Sequence, residues 1–131
     1  MGIAESRGKI AVARVQLERV QRSVYEEPFD PQNAVMWAFY AYENCVVALA
    51  ELHGRRWTRN HYEKAQLARS LHADGLISRD IGDELEKLNV LRKGVAYDLP
   101  DPELDELDIE DLAYELEAFI DEIAGEIELE T

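Results

Sequence analysis

The amino-acid sequence predicts an all-α protein, an up-and-down bundle of four to five helices. Apolar residues recur every three or four positions along most of the chain, which is the spacing of one face of an α-helix. No segment alternates with the two-residue period of a β-strand. Pro28, Gly54, Gly75 and Pro100 fall between the apolar stripes, where helices end. These observations favour short connections between antiparallel helices.

The first helix is predicted to end before Glu27 and Pro28. Its apolar stripe consists of Ile3, Ile10, Ala13, Leu17, Val20 and Val24. A second helix follows at once, because Asp30 can cap its N-terminus and Pro31 suits the first helical position. We expect this helix to run toward Leu52.

The second helix is apolar almost all round between residues 35 and 50, interrupted by Glu43 and Asn44. A helix buried on every side needs many neighbours. Either a second subunit covers part of this helix, which predicts a homodimer, or the chain covers it alone.

The third and fourth helices are bounded by capping and breaking residues. Asn60 with Glu63 resembles a capping box at the start of the third helix, and Gly75 closes it. Ser78 is predicted to begin the fourth helix, which continues until the break at Leu99 and Pro100.

An acidic linker at about residues 99–107 leads to a last helix at about residues 108–128, capped by Asp108. The apolar stripe of that helix consists of Ile109, Leu112, Leu116, Phe119, Ile123 and Ile127. With 131 residues, the chain has the size of one domain, so residues 1–131 are expected to form a single helical unit.

The formal net charge is -14, and fifteen acidic residues with no basic one lie between residues 98 and 131. So acidic a chain repels nucleic acid at long range. The sequence has no apolar run of membrane-spanning length and no signal peptide, so we expect a cytoplasmic protein without membrane association. A single cysteine, Cys45, excludes an intrachain disulfide and any zinc site built from several thiolates.

Arg92 occupies an apolar stripe. The neighbours that share its helical spacing are Ile81, Leu85, Leu88 and Val95. Burying an unpaired guanidinium is costly, so a polar partner is expected. We predict that Glu43 or Asn44 faces Asn89 and Arg92 in a polar network, with Asp98 also within reach, and that these residues bind a ligand. The alternative is that Arg92 reaches out to solvent from the end of its stripe.

Arg55, Arg56, Trp57 and Arg59 combine guanidinium groups with an aromatic plane, which could grip phosphates and stack on bases. Two other interpretations stay open. The segment is also typical of a solvated connection whose indole packs on the bundle end, and it could bind the acidic tail of another copy.

Metal binding and nucleophilic catalysis find little support in the sequence. His53, His61 and His72 do not have the spacing of a metal set, and no cofactor motif is present. Cys45 lies within the apolar run, as expected of a buried core residue.

Three segments together resemble the HEPN family. They are AFYAYENCVVALA at residues 38–50, HYEKAQLAR at residues 61–69 and LNVLRKGVAYD at residues 88–98, followed by the acidic linker and last helix. The resemblance spans about residues 31–128. It implies an all-α bundle that usually dimerises, and often a neighbouring nucleotidyltransferase as partner.

HEPN members that cut RNA carry an arginine followed after four to six residues by a histidine. Arg92 matches that arginine, whereas Tyr97 stands where the spacing would place the histidine. A phenol, with an ordinary pKa of about 10, does not exchange protons at neutral pH as imidazole does. The resemblance therefore implies a binding module for a nucleotide, RNA or partner protein. A metal-independent ribonuclease using Arg92 and Tyr97 is the alternative.

Overall fold

A computed structural model describes residues 2–26, 30–96, 104 and 106–130. The predicted fold class is confirmed, since the described residues form five long α-helices and no β-strand. In chain order the helices are α1 (Ile3–Tyr25), α2 (Pro31–Leu52), α3 (His61–Ala73), α4 (Gly82–Ala96) and α5 (Ile109–Leu129).

Three helices begin where the capping residues predict. The side chains of Asp30, Asn60 and Asp108 accept hydrogen bonds from the backbone N–H three residues further on, at 3.1, 2.9 and 3.0 Å. Each bond satisfies one of the free donors of a first helical turn. The capping box is incomplete, because the Glu63 carboxylate accepts from Thr58 and not from the Asn60 backbone.

The start predicted for the fourth helix is wrong: α4 begins at Gly82 and not at Ser78. The backbone N–H and the hydroxyl of Ser78 both donate to the Glu122 carboxylate on α5, at 2.8 and 2.5 Å. Asp80, and not Ser78, bonds the backbone at the start of α4, since its carboxylate accepts from the Gly82 N–H at 2.9 Å. A contact between distant segments thus overrides a local capping signal. The predicted end near Leu99 and Pro100 and most of the acidic linker lie outside the described residues.

The core is built around α2, which contacts each of the other four helices. Its buried positions surround the helix; they are Ala34, Val35, Ala38, Phe39, Ala41, Tyr42, Glu43 and all residues from Cys45 to Ala50. The apolar stripe predicted for α5 is confirmed, with all six of its residues buried against this core. One chain therefore covers almost all of α2. The all-round apolar pattern of α2 therefore no longer argues for a homodimer, and the homodimer stays a prediction.

Helices α1 and α2 lie antiparallel, with Ser6 beside Ala48 at one end and Arg19 beside Trp37 at the other. Ser6 is fully buried, and its hydroxyl donates to the Ala48 carbonyl at 2.7 Å. The small side chains of Ser6 and Ala48 let the two backbones approach closely enough for this bond.

Tyr42 links α2 to the segment before α4. Its hydroxyl accepts from Arg79 at 2.9 Å, and Arg79 also binds Glu115 on α5 at 3.0 Å. Burial raises the pKa of Tyr42 to about 12, so the phenol stays neutral under ordinary conditions. Among the helices described, none is long and apolar enough to cross a membrane.

Replacing Ser6 with alanine should lower the free energy of unfolding by about 0.5–1.5 kcal/mol, because the bond to the Ala48 carbonyl is lost in a buried place. Urea unfolding measures the change. Ser23→Ala is the matched control on the same helix, since the Ser23 hydroxyl bonds only one turn back to Arg19 on the exposed side. Equal effects of the two substitutions would contradict a specific role for the Ser6 bond.

Candidate functional site

The Glu43 carboxylate is the buried charge of α2, and the N-terminal turn of α3 covers it. Its side chain is 5% exposed. His61 Nδ1 lies 2.7 Å from one carboxylate oxygen, and Lys64 Nζ lies 3.7 Å from the other. Because an ionised carboxylate only accepts, the Nδ1–H of His61 donates, which leaves Nε2 as the ring nitrogen for another partner. The N–H of His61 and the ammonium of Lys64 together offset the cost of burying the carboxylate.

Arg92, near the end of α4, is half-buried, and its guanidinium donates to the Asn89 side-chain oxygen at 2.7 Å. The expected bond between Arg92 and Asn89 is confirmed. Its guanidinium carbon also lies 5.1 Å from the Phe39 ring centroid and 5.7 Å from that of Tyr40. Cation–π attraction thus replaces part of the hydration that the guanidinium loses.

The Phe39 ring lies between the Glu43–His61 pair and the Arg92–Asn89 pair. Its ring packs edge-on against the His61 ring, with 5.1 Å between centroids, and Arg92 lies at the same distance from the Phe39 centroid. The imidazole and the guanidinium are therefore no farther apart than twice that distance. Helices α2, α3 and α4 each contribute one residue to this arrangement.

A cavity of about 340 Å³ opens between α3 and α4 beside these groups. It is lined by His61, Tyr62, Ala65, Leu85, Glu86, Asn89, Val90 and Lys93. The far end of the gap is closed by Arg69, which lies across Gly82 and binds Asp83 at 2.6 Å and Glu86 at 3.1 Å. Because Asn89 lines this cavity and accepts a hydrogen bond from Arg92, it connects Arg92 to the cavity wall.

The polar network predicted around Arg92 is wrong in two of its members. Glu43 points to α3 and binds His61 and Lys64, and the Asn44 amide donates to Gln16 on α1 at 2.9 Å. Side chains at adjacent helical positions point about 100° apart, so Glu43 and Asn44 face different neighbouring helices. The sequence alone does not say which helix each of them faces. Tyr97 and Asp98 lie outside the described residues.

The basic loop is partly tied to its own chain. Arg55 bonds Asp74 and Ser70, and the Trp57 indole donates to Glu51 at 2.8 Å. Arg56 and Arg59 are exposed. A surface recess of about 430 Å³ is lined by Glu51, Gly54, Arg55, Arg56, Trp57 and Thr58. Two of the four residues proposed to contact nucleic acid thus already have internal partners.

In the residues that the structure describes, no cluster of histidine, cysteine, aspartate and glutamate could hold a metal ion. Cys45 is fully buried, as expected, and burial raises the pKa of its thiol. This thiol therefore lies where neither solvent nor a substrate reaches it.

His61 is the functional candidate that the sequence analysis did not identify. It was considered there only for metal binding together with His53 and His72, and the spacing of the three histidines argued against a metal site. The available signal was the unexplained charge of Glu43 in an apolar helix, which requires a partner on a neighbouring helix.

Comparisons of the chain with protein-family models, with curated proteins and with solved structures found no match.

Replacing Glu43 with glutamine should lower the free energy of unfolding by about 1.5–3 kcal/mol, because Lys64 loses its buried countercharge and His61 a charge-assisted bond. Urea unfolding at neutral pH measures it. Adding Lys64→Met should recover part of the loss, since the unpaired ammonium is then removed. Glu117→Gln is the control, because Glu117 is exposed and bonded to Gln21. A loss below 0.5 kcal/mol for Glu43→Gln, the range of ordinary surface substitutions, would contradict this role.

Proposed function

We propose that this chain is a HEPN-like binding module that holds a nucleotide beside Arg92, in the cavity between α3 and α4. One observation carries the proposal. Among the described residues Arg92 has no carboxylate within 4.0 Å, and a neutral amide and two aromatic rings hold its guanidinium in place. Within that part of the chain no carboxylate offsets its charge at close range, which supports the binding of an anionic ligand.

The cavity suits a nucleotide in size and lining. Its volume of about 340 Å³ lies within the usual range for small-molecule sites. Ala65 and Leu85 offer apolar contact for a base, and Asn89 offers hydrogen bonds. Lys93 and the nearby Arg92 provide positive charge for a phosphate.

Two further parts of the proposal come from the resemblance to HEPN proteins, namely a homodimer and a nucleotidyltransferase as partner. The cytoplasmic location rests on the sequence pattern alone, which contains no apolar run of membrane-spanning length. The buried state of α2 removes one argument for the dimer, but Met36, Trp37 and Tyr40 leave part of that helix at the surface.

Adenosine monophosphate is expected to bind, and Arg92→Ala should weaken that binding by one to two decades. The loss corresponds to about 1.5–3 kcal/mol for a charge-assisted contact in a partly desolvated site. Isothermal titration calorimetry measures the dissociation constant, and circular dichroism checks that the variant keeps its helices.

Lys93→Ala should also weaken binding of adenosine monophosphate, whereas Lys87→Ala should not. Both lysines are on α4, but Lys87 lines a different cavity, between α4 and α5. Binding that is unchanged in folded Arg92→Ala and Lys93→Ala proteins, or absent from the wild type, would contradict the proposed site.

A metal-independent ribonuclease is the second candidate, and the Glu43–His61 pair favours it. RNA cleavage without metal needs a group that exchanges protons near neutral pH, together with a cation for the phosphate. His61 is an imidazole oriented by a buried carboxylate, and Arg92 contacts the same Phe39 ring. His61 would then do the work of the histidine that the HEPN motif lacks.

We expect the purified protein to leave labelled single-stranded RNA intact in the presence of EDTA, because Tyr97 replaces the motif histidine. Gel electrophoresis of the RNA over several hours checks this. Cleavage that disappears in both Arg92→Ala and His61→Gln, but persists in His72→Gln, would instead establish the ribonuclease. His72 is the matched control, since it is exposed at the other end of α3.

A further inference from the structure

Two kinds of cation can be distinguished by their partners, and Lys64 and Arg79 belong to both because each contacts a carboxylate and an aromatic ring. The first kind is paired with carboxylates; its members are Arg14 with Asp121, Arg55 with Asp74, Arg69 with Asp83 and Glu86, and Arg79 with Glu115. The second kind packs on aromatic rings. Lys9, Arg19 and Arg92 belong to it alone, and within the described part of the chain none has a carboxylate within 4.0 Å.

Arg19 and Arg92 lie beside partly exposed aromatic side chains of α2. The Arg19 guanidinium carbon is 4.4 Å from the Trp37 ring centroid. Trp37 packs edge-on against Tyr40, with 6.3 Å between centroids, and Tyr40 lies beside Arg92 at 5.7 Å. Trp37 and Tyr40 are both partly exposed.

The same pattern recurs at the C-terminal end of α2. Lys9 Nζ is 5.3 Å and Lys64 Nζ is 5.8 Å from the Trp57 ring centroid. Trp57 is partly exposed and lines the recess of about 430 Å³ together with Arg55 and Arg56. A tryptophan with cations beside it therefore marks each end.

Between the two ends the surface is formed by α1 and α2, which pack against each other. Between them the Asn44 amide bonds Gln16, at the line where α1 meets α2. We call this surface the cation–aromatic face, and it consists of Lys9, Arg19, Trp37, Tyr40, Trp57 and Arg92; Lys64, which is largely buried and paired with Glu43, borders it. Lys9 and Arg19 lie on the same helix, about 15 Å apart at a rise of 1.5 Å per residue. That length has room for several stacked bases at about 3.4 Å each.

We propose that the cation–aromatic face binds single-stranded nucleic acid. A single strand uses both features of the face, because its bases stack on indole and phenol planes and its phosphates bind the cations. An acidic peptide would use the cations alone, and a duplex hides its base planes. The proposal rests on the proposed function in one respect: Arg92 belongs to the face and lies beside the nucleotide cavity.

The two tryptophans of the chain both lie in the face, so its occupation can be observed directly. A single-stranded RNA of twelve nucleotides should quench tryptophan fluorescence as it binds, and the same sequence as DNA tests whether the 2′-hydroxyl matters. Trp37→Phe and Trp57→Phe leave one reporter each. Both single-tryptophan proteins should show quenching if the strand runs along the whole face.

Arg19→Ala and Arg14→Ala form a matched pair, since both arginines are on α1. Arg19 stacks on Trp37, whereas Arg14 binds Asp121 on α5. We expect Arg19→Ala and Lys9→Ala each to weaken oligonucleotide binding about tenfold, and Arg14→Ala to leave it unchanged, at a fixed salt concentration. Equal losses for Arg19→Ala and Arg14→Ala, or no quenching by either strand, would overturn the proposal.

Two other occupants of the cation–aromatic face would give different results, and either result would overturn the proposal. Equal binding of a duplex or of polyglutamate would show that charge alone is recognised. A wild-type dimer that Arg19→Ala dissociates in sedimentation, without oligonucleotide binding, would assign the face to a second copy. The experiments distinguish failure of this proposal from failure of the proposed function. Lys93→Ala should weaken mononucleotide binding in the cavity, whereas Arg19→Ala should not.

Discussion

The burial of α2 is the constraint on which the other features of this structure depend. A helix that must be covered all round requires four neighbours, and small side chains such as Ala38, Ala41 and Ala48 let them approach closely. Any polar group on such a helix must find its partner on a neighbouring helix. The position of Glu43 thus fixes where the first turn of α3 packs, since His61 and Lys64 both extend to its carboxylate.

The elements of the candidate site follow from this packing. With α3 held over Glu43 and α4 antiparallel to it, the remaining gap between the two helices becomes the cavity. Arg69 closes one end by crossing Gly82, where a side chain on residue 82 would lie 2.5 Å from the Arg69 Cγ. The other end stays open beside His61 and Asn89. The same contacts that stabilise the bundle therefore shape the recess that could hold a ligand.

The sequence predicted the helices well because their signals are local. Caps at Asp30, Asn60 and Asp108 and the stripe of α5 depend on residues three or four positions apart, and all were confirmed. Ser78 failed because its partner, Glu122, is forty-four residues away. The bond between Arg92 and Asn89 lies within one turn and was predictable, whereas the pairing of Glu43 with His61 depends on how two helices rotate against each other. Sequence periodicity gives the direction of a side chain but not its partner.

Charge distribution determines how the cation–aromatic face could work in so acidic a protein. At physiological salt, exposed charges are screened beyond about 8 Å, so the acidic residues at 98–131 act mainly on what lies close to them. Several exposed acids of α5, such as Asp121 and Glu117, face α1 from the side of Arg14 and Gln21. Lys9 and Arg19 lie on the other side of that helix, toward α2. On α1 the carboxylate-paired Arg14 thus lies on a different side from the ring-bound Lys9 and Arg19, whose charges no carboxylate of the described residues offsets at close range.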